Sequence, residues 1–97
     1  MYGYEVKVRQ TTYLWGSSGI ASNLQWPLLL TLRNDVVGDP VQIQSETADG
    51  HKMAIGTLQA GECYTLPLLG LRGVLGTCDV DSNVTCVILV PHIGPLT

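Results

Sequence analysis

The side chains able to do chemistry in this 97-residue chain are few and widely spaced. Cys63, Cys78, Cys86, His51 and His92 are the donors a zinc site would draw on. Structural zinc sites usually present close pairs, C-x₂₋₄-C or H-x₃₋₅-H, and no pair here has that spacing. Buried thiols and surface histidines are therefore expected, with no metal and no other cofactor. Cys63 with His51 as nucleophile and base would need a third, orienting group and an electropositive pocket. The sequence nominates neither. Asp79-Val80-Asp81-Ser82-Asn83 spaces oxygens as the first half of a calcium loop does. The glycine required at the sixth position is Val84 and the glutamate at the twelfth is Val90, so the loop fails and a solvated turn is expected. In G-x-S-x-G counted from Gly16 the closing glycine falls on Ile20, and no strand-to-helix context follows. No catalytic constellation assembles, and the chain reads as a non-enzyme.

Charge narrows the partners. Five basic residues are scattered among eight acids, so the clustered positive charge that phosphate binding needs is missing. Nucleic acid and anionic membrane surfaces are not expected as direct partners. No apolar run approaches the roughly 20 residues of a spanning helix, and the first residues lack the pattern of a signal peptide. No direct membrane insertion is expected. Hydrophobic residues make up 45% of the chain, enough for one core, while 13% charged is low against about 25% in ordinary soluble domains. So sparse a surface charge suggests cover from neighbouring domains, a partner chain or a second copy. Residues 1–97 read as one domain, a fragment of a larger multi-repeat protein.

Three cysteines are an odd count, which favours a cytosolic, reduced domain. The sequon Asn83-Val84-Thr85 pulls the other way, and Cys78 and Cys86 flank an expected turn that a disulfide would bridge. An extracellular, disulfide-bonded β-sandwich of adhesion or receptor type is the alternative that these residues keep open.

The elements that must position these groups are strands. Tyr4, Val6 and Val8 alternate with Glu5, Lys7 and Arg9, the period of a half-buried strand, which Tyr13-Leu14-Trp15 closes with bulk. Gly16 to Gly19 is a loop. The run Trp26-Pro27-Leu28-Leu29-Leu30-Thr31-Leu32-Arg33-Asn34 is short and bounded by breakers, so Pro27–Leu32 reads as a buried strand. Asn34 to Pro40 turns the chain. Val41 and Ile43 alternate with Gln42 and Gln44 in a half-exposed strand, and Asp49-Gly50 is the strongest short hairpin signal. Gln59 to Glu62 is a tight turn before the Cys63–Leu68 strand. Leu69 to Gly76 holds three glycines and is expected to be irregular or a short edge strand. Asp79 to Asn83 is a turn, and Val84–Val90 is a last buried strand closed by Pro91. The expectation is all-β, a small antiparallel β-sandwich of about seven strands.

Trp15 and Trp26 read as core or core-edge residues, with a peptide groove as the functional alternative. Asn34 either caps a turn or, if buried, needs several partners for its amide and becomes a structural clamp or a peptide-reading group.

Three stretches in order carry a resemblance: Pro27 to Asn34, Ile55-Gly56-Thr57-Leu58-Gln59-Ala60-Gly61-Glu62, and Tyr64-Thr65-Leu66-Pro67-Leu68. Together they resemble the adaptor-binding (VAB) repeats of the Vps-thirteen family of bridge-like lipid-transfer proteins. Those repeats look like Pro-Leu and an apolar strand ending in Asn, then Leu-Gly-x-Leu-x-Pro-Gly-Glu, then a strand ending near Pro-Leu. Ala60 stands where the family has proline, and Ile55 where it has leucine. The match covers residues 26 to 68. The resemblance implies a β-sandwich module flanked by neighbouring repeats of the same chain. It further implies cytoplasmic location, recruitment to organelle membranes, and capture of a proline-containing adaptor peptide with a Pro-x-Pro motif. Asn34 falls where the family has its repeat asparagine.

An extended proline-containing segment suits an open sheet edge, where backbone groups pair and alternate side chains fill pockets. Val41–Gln44, next to the Asn34 turn, is the edge the sequence points to. Asn34 is expected to hold that turn while Leu32, Val41 and Ile43 line the groove.

Overall fold

The computed structural model describes residues 2–16, 28–68 and 70–89. They form six antiparallel strands: β1 (Tyr2–Gly16), β2 (Leu29–Asn34), β3 (Val41–Thr47), β4 (Lys52–Leu58), β5 (Cys63–Pro67) and β6 (Leu71–Leu89). The all-β, antiparallel expectation holds. All six belong to one sheet in the order β4-β3-β6-β2-β5, with β1 on the other side of β6.

The long β1–β6 ribbon explains how one sheet encloses a core. The first half of β6 pairs with β3 and with the second half of β1 (Thr77 lies between Gln42 and Thr11). The last part of β6 pairs with β2 and with the start of β1 (Cys86 lies between Leu32 and Tyr4). At the join, the β1 register jumps from Val8↔Ser82 to Gln10↔Cys78, so Arg9 alone opposes Asp79, Val80 and Asp81. Extra residues on one strand bend and twist a ribbon. Gln10 takes a φ of 50° to make this bend. The two halves of the sheet thereby curl toward each other as an open half-barrel.

Side chains from both halves meet in one cluster: Leu14, Val41, Ile43 and Val74 with Val8, Leu30, Leu32, Leu66, Val84 and Cys86. Tyr4 ties the halves together on the β1 side, its hydroxyl donating to the Leu14 carbonyl at 2.5 Å.

Two expectations are corrected. Of the stretch expected to be irregular or an edge, Leu71 to Gly76 is neither, since Leu71 opens the central strand of the sheet; Gly70 lies in the turn before it and Leu69 outside the described residues. Glycine there answers crowding rather than flexibility. A Cβ on Gly76 would stand 3.1 Å from both Leu14 and Val41, and one on Gly73 would stand 2.8 Å from the Tyr13 ring. Asp79 to Asn83 is likewise no chain reversal but the corner of β6, where Asp79 and Val80 are exposed while Ser82 is buried.

The hairpins form where expected. Gly50 (φ 89°) closes the β3–β4 turn, in which Gly50 N–H donates to the Thr47 carbonyl. Gly61 (φ 78°) closes the β4–β5 turn, with Glu62 N–H donating to the Gln59 carbonyl. The Glu62 carboxylate also accepts the Gln59 N–H at 2.6 Å. Trp26, Pro27, the loop to Gly19, Pro91 and His92 lie outside the described residues.

Candidate functional site

Asn34 ends β2 fully buried. Its Nδ2 donates to the Asp39 carbonyl (2.8 Å) and to the Leu58 carbonyl (3.0 Å), while Oδ1 accepts from the Ser82 hydroxyl (2.5 Å). Its backbone N–H donates to Glu62, and its carbonyl accepts from Gly61 N–H. One residue therefore joins the end of β2, the turn before β3, the end of β4, the β4–β5 turn and the β6 corner. Of the two readings of a buried Asn34, the structural clamp is the one its geometry serves, because both amide hydrogens are engaged inside the fold. Gly38 makes room for it. A Cβ at Gly38 would collide with the Ser82 hydroxyl and stand 3.1 Å from Asn34 Oδ1.

The groove expected beside Asn34 is corrected. Val41–Gln44 is not an edge, because β3 pairs with β4 on one side and with β6 on the other. Leu32, Val41 and Ile43 are core residues rather than groove lining, at 0%, 0% and 2% exposure. Alternation marked their inward face correctly; it carries no information about which strands stand next to them.

The open edges among the described residues are β1, β4 and β5. They are unequally guarded. β1 carries Glu5, Lys7 and Arg9 and is bulged. β4 carries Lys52 and a register break between Ile43 and Gln44 that leaves Ile55 unmatched. Charges and bulges are the usual means of blunting an edge. β5 has neither, and proline, another such device, stands only at its end: Cys63-Tyr64-Thr65-Leu66-Pro67 is uncharged, and its pairing with β2 is regular from Cys63↔Arg33 to Pro67↔Leu29. Leu66 points into the core, and Tyr64, two residues away on the same face, leaves 43% of its surface exposed beside the open edge. Sequence reasoning missed this edge, although the uncharged run around Tyr64 was a signal for it.

A second polar assembly holds the outer face of the other half. Glu46 on β3 is only 3% exposed. Its Oε1 accepts from the Tyr13 hydroxyl (2.9 Å) and faces Arg72 Nε at 3.3 Å. The Arg72 guanidinium, then the Tyr13 hydroxyl, hold the Glu46 carboxyl below its ordinary pKa; in return, the bond to Glu46 raises that of Tyr13.

All three cysteines are free. Cys63 is exposed at the start of β5, whereas Cys78 and Cys86 are buried. The Cys78–Cys86 disulfide of the extracellular reading is corrected: the two thiols sit along one strand in different halves of the sheet, not across a hairpin. Burial pushes the Cys86 thiol up to about 11. His51 is exposed in the β3–β4 hairpin, and no group of three His, Cys, Asp or Glu able to hold a metal ion occurs among the described residues.

No family model matches the chain, and no curated protein matches it. Among solved structures, the fold is similar to that of a CooA mutant from Carboxydothermus hydrogenoformans, with a TM-score of 0.50 at 12% identity over 88% of this chain. That match spans 48% of the CooA chain, about half its length. At such identity the likeness concerns the fold alone. The resemblance to VAB repeats rests on the residues quoted above.

Proposed function

We propose that this chain is a non-catalytic protein-interaction module that binds a proline-containing adaptor peptide by adding it as a strand to β5. The observation that carries the reading is the open, uncharged and unbulged β5 edge with Tyr64 beside it. Strand addition supplies affinity through main-chain bonds, and alternate side chains supply specificity. Pro-x-Pro suits this chemistry. In an extended strand, residues i and i+2 share both a face and a hydrogen-bonding direction. Two prolines so spaced turn their missing N–H groups away from β5, while the residue between them pairs with it. The same spacing puts both rings on one face, against Tyr64.

The reading takes the two facing halves of the sheet as the layers of a small β-sandwich of about seven strands, one repeat among neighbours of the same chain. In the cytoplasm such a module recruits a lipid-transfer protein to organelle membranes. Asn34 serves it by positioning: its backbone bonds to Gly61 and Glu62 set where β5 begins.

The test is a titration against a labelled Pro-x-Pro peptide, with a proline-to-alanine peptide and a peptide N-methylated between the prolines as controls. Micromolar binding lost with both controls, and weakened about ten-fold in Tyr64→Ala, is the expected result. A folded sample that ignores the peptide, or that binds the N-methylated form equally well, overturns the reading.

A further inference from the structure

The register of β5 fixes which of its backbone groups are free. In an antiparallel ladder, residues that exchange hydrogen bonds with a neighbour alternate with residues whose N–H and C=O point the other way. Beyond one end of β5, Leu68 N–H donates to the Leu28 carbonyl; beyond the other, Asn34 N–H donates to the Glu62 carbonyl. Counting inward along the pairing, Leu66 and Tyr64 are the residues bonded to Leu30 and Leu32 of β2. Cys63, Thr65 and Pro67 therefore aim their backbone groups at the open edge. Pro67 stands where its missing N–H removes no bond to β2, as prolines on edge strands do. The edge thus presents two donors, at Cys63 and Thr65, and three carbonyl acceptors.

This pattern is its own complement. Two β5 strands related by a twofold axis at Thr65 set Thr65 opposite its counterpart, Tyr64 opposite Leu66, and Cys63 opposite Pro67. Every outward donor is then matched: each Thr65 N–H meets a Thr65 carbonyl, and each Cys63 N–H meets a Pro67 carbonyl. The side chains agree. Opposite residues share a face in an antiparallel pair, so the exposed Tyr64 ring of each copy packs against the other's Leu66, a core residue. On the outer face the Thr31 and Thr65 hydroxyls already share a hydrogen bond (2.9 Å), and the pairing extends this into a row of four threonines. No charge lies on β5 to oppose its own copy. Self-pairing at β1 or β4 would instead meet their register breaks.

We infer that, in the absence of peptide, β5 pairs with β5 of a second copy, joining two sheets across a twofold axis and closing the edge. Its competition with the adaptor peptide rests on the peptide reading; the self-pairing does not. A contact built on five residues falls short of the roughly 1,600 Å² that stable complexes bury, so the dimer is weak and yields to peptide.

The test is sedimentation equilibrium of the whole chain from about 5 μM to about 1 mM, with amide hydrogen exchange read at both ends of that range. A monomer–dimer equilibrium with a Kd of about 100 μM is expected. Exchange at Cys63 and Thr65 should then slow about five-fold at the higher concentration, while Tyr64, bonded to β2 in both states, is unchanged. Thr65→Pro removes an outward donor and no bond to β2, and should weaken dimerisation at least about ten-fold. The Pro-x-Pro peptide should return the dimer to monomer. A dimer in which Cys63 and Thr65 exchange as fast as in the monomer, or one unweakened in folded Thr65→Pro, overturns the self-pairing. A chain that binds the peptide yet stays monomeric to about 1 mM removes this inference and leaves the peptide reading standing. A β5 dimer that ignores the peptide keeps the self-pairing and sinks the peptide reading.

Discussion

At the scale of single residues, Asn34 is the most consequential side chain in the chain, and its chemistry allows little substitution. Alanine would strand the buried Leu58 carbonyl and Ser82 hydroxyl and the partly buried Asp39 carbonyl. Groups left unpaired in this way cost more than the bonds themselves contribute. Asn34→Ala is therefore expected to lose about 2–4 kcal/mol of unfolding free energy in urea titrations. Aspartate should fare no better, since it offers no donor for either carbonyl and adds a buried charge. Gly38→Ala should cost about 1–3 kcal/mol by overpacking against Ser82 and Asn34. If Asn34→Ala unfolds at the wild-type midpoint, the clamp is ornamental. A stable Asn34→Ala protein that keeps full peptide affinity would confine the part of Asn34 in positioning β5 to its backbone bonds, which alanine retains.

At the scale of elements, the turns were legible and the neighbours were not. Period two over Tyr4–Arg9, glycine at 50 and 61, and the inward face of Leu32, Val41 and Ile43 all follow from local chemistry, which one stretch of chain contains. That β3 is interior, that β5 is open, and that a glycine-rich run starts the central strand depend on contacts between distant residues. Nothing local distinguishes a glycine that frees the backbone from one, such as Gly76, that makes room for Leu14 and Val41. The β4–β5 turn yields a prediction in the stabilising direction. Ala60 is the second residue of a turn whose third residue, Gly61, has positive φ, the position where proline is pre-set. Ala60→Pro restricts the unfolded chain without removing a bond that the turn uses, and should add about 0.4–1 kcal/mol, read as a raised urea midpoint.

The Tyr13–Glu46–Arg72 assembly joins β1, β3 and β6 and gives the elements a pH dependence. Because the Glu46 pKa is lowered by folding, its contribution is complete above the ordinary glutamate range, near pH 4.3, and fades as pH falls through the lowered value. Stability should therefore drop on the acid side. Glu46→Gln should make that limb shallower while leaving neutral stability less than the wild type's. Asp49, lowered chiefly by the Thr47 hydroxyl and then by the His51 N–H, keeps part of the slope in the variant. An acid limb identical in wild type and Glu46→Gln would show that Arg72 and Tyr13 do not hold this carboxylate in solution.

At the scale of the whole molecule, the question is whether a sheet folded on itself unfolds as one unit. Its two halves share the β1–β6 ribbon and one apolar cluster, so exposing either half uncovers the other's core face. The cysteines are placed to test this. Cys78 belongs to the half paired with the end of β1, next to β3, and Cys86 to the half paired with β2, while Cys63 stands outside the core. Under native conditions near pH 8, one thiol should react quickly with a disulfide reagent, and site-resolved mass spectrometry should identify it as Cys63. Cys86, buried and with its thiol raised to about 11, waits for opening. As urea is added, Cys78 and Cys86 should become reactive with the same midpoint and the same slope, because a shared core makes the halves cooperative. If Cys86 becomes labelled at markedly lower urea than Cys78, the β2–β5 half opens alone. The clamp at Asn34 and the clasp from Tyr4 to Leu14 would then be local fastenings on one flap of the sheet, and the β5 edge would belong to its less stable half.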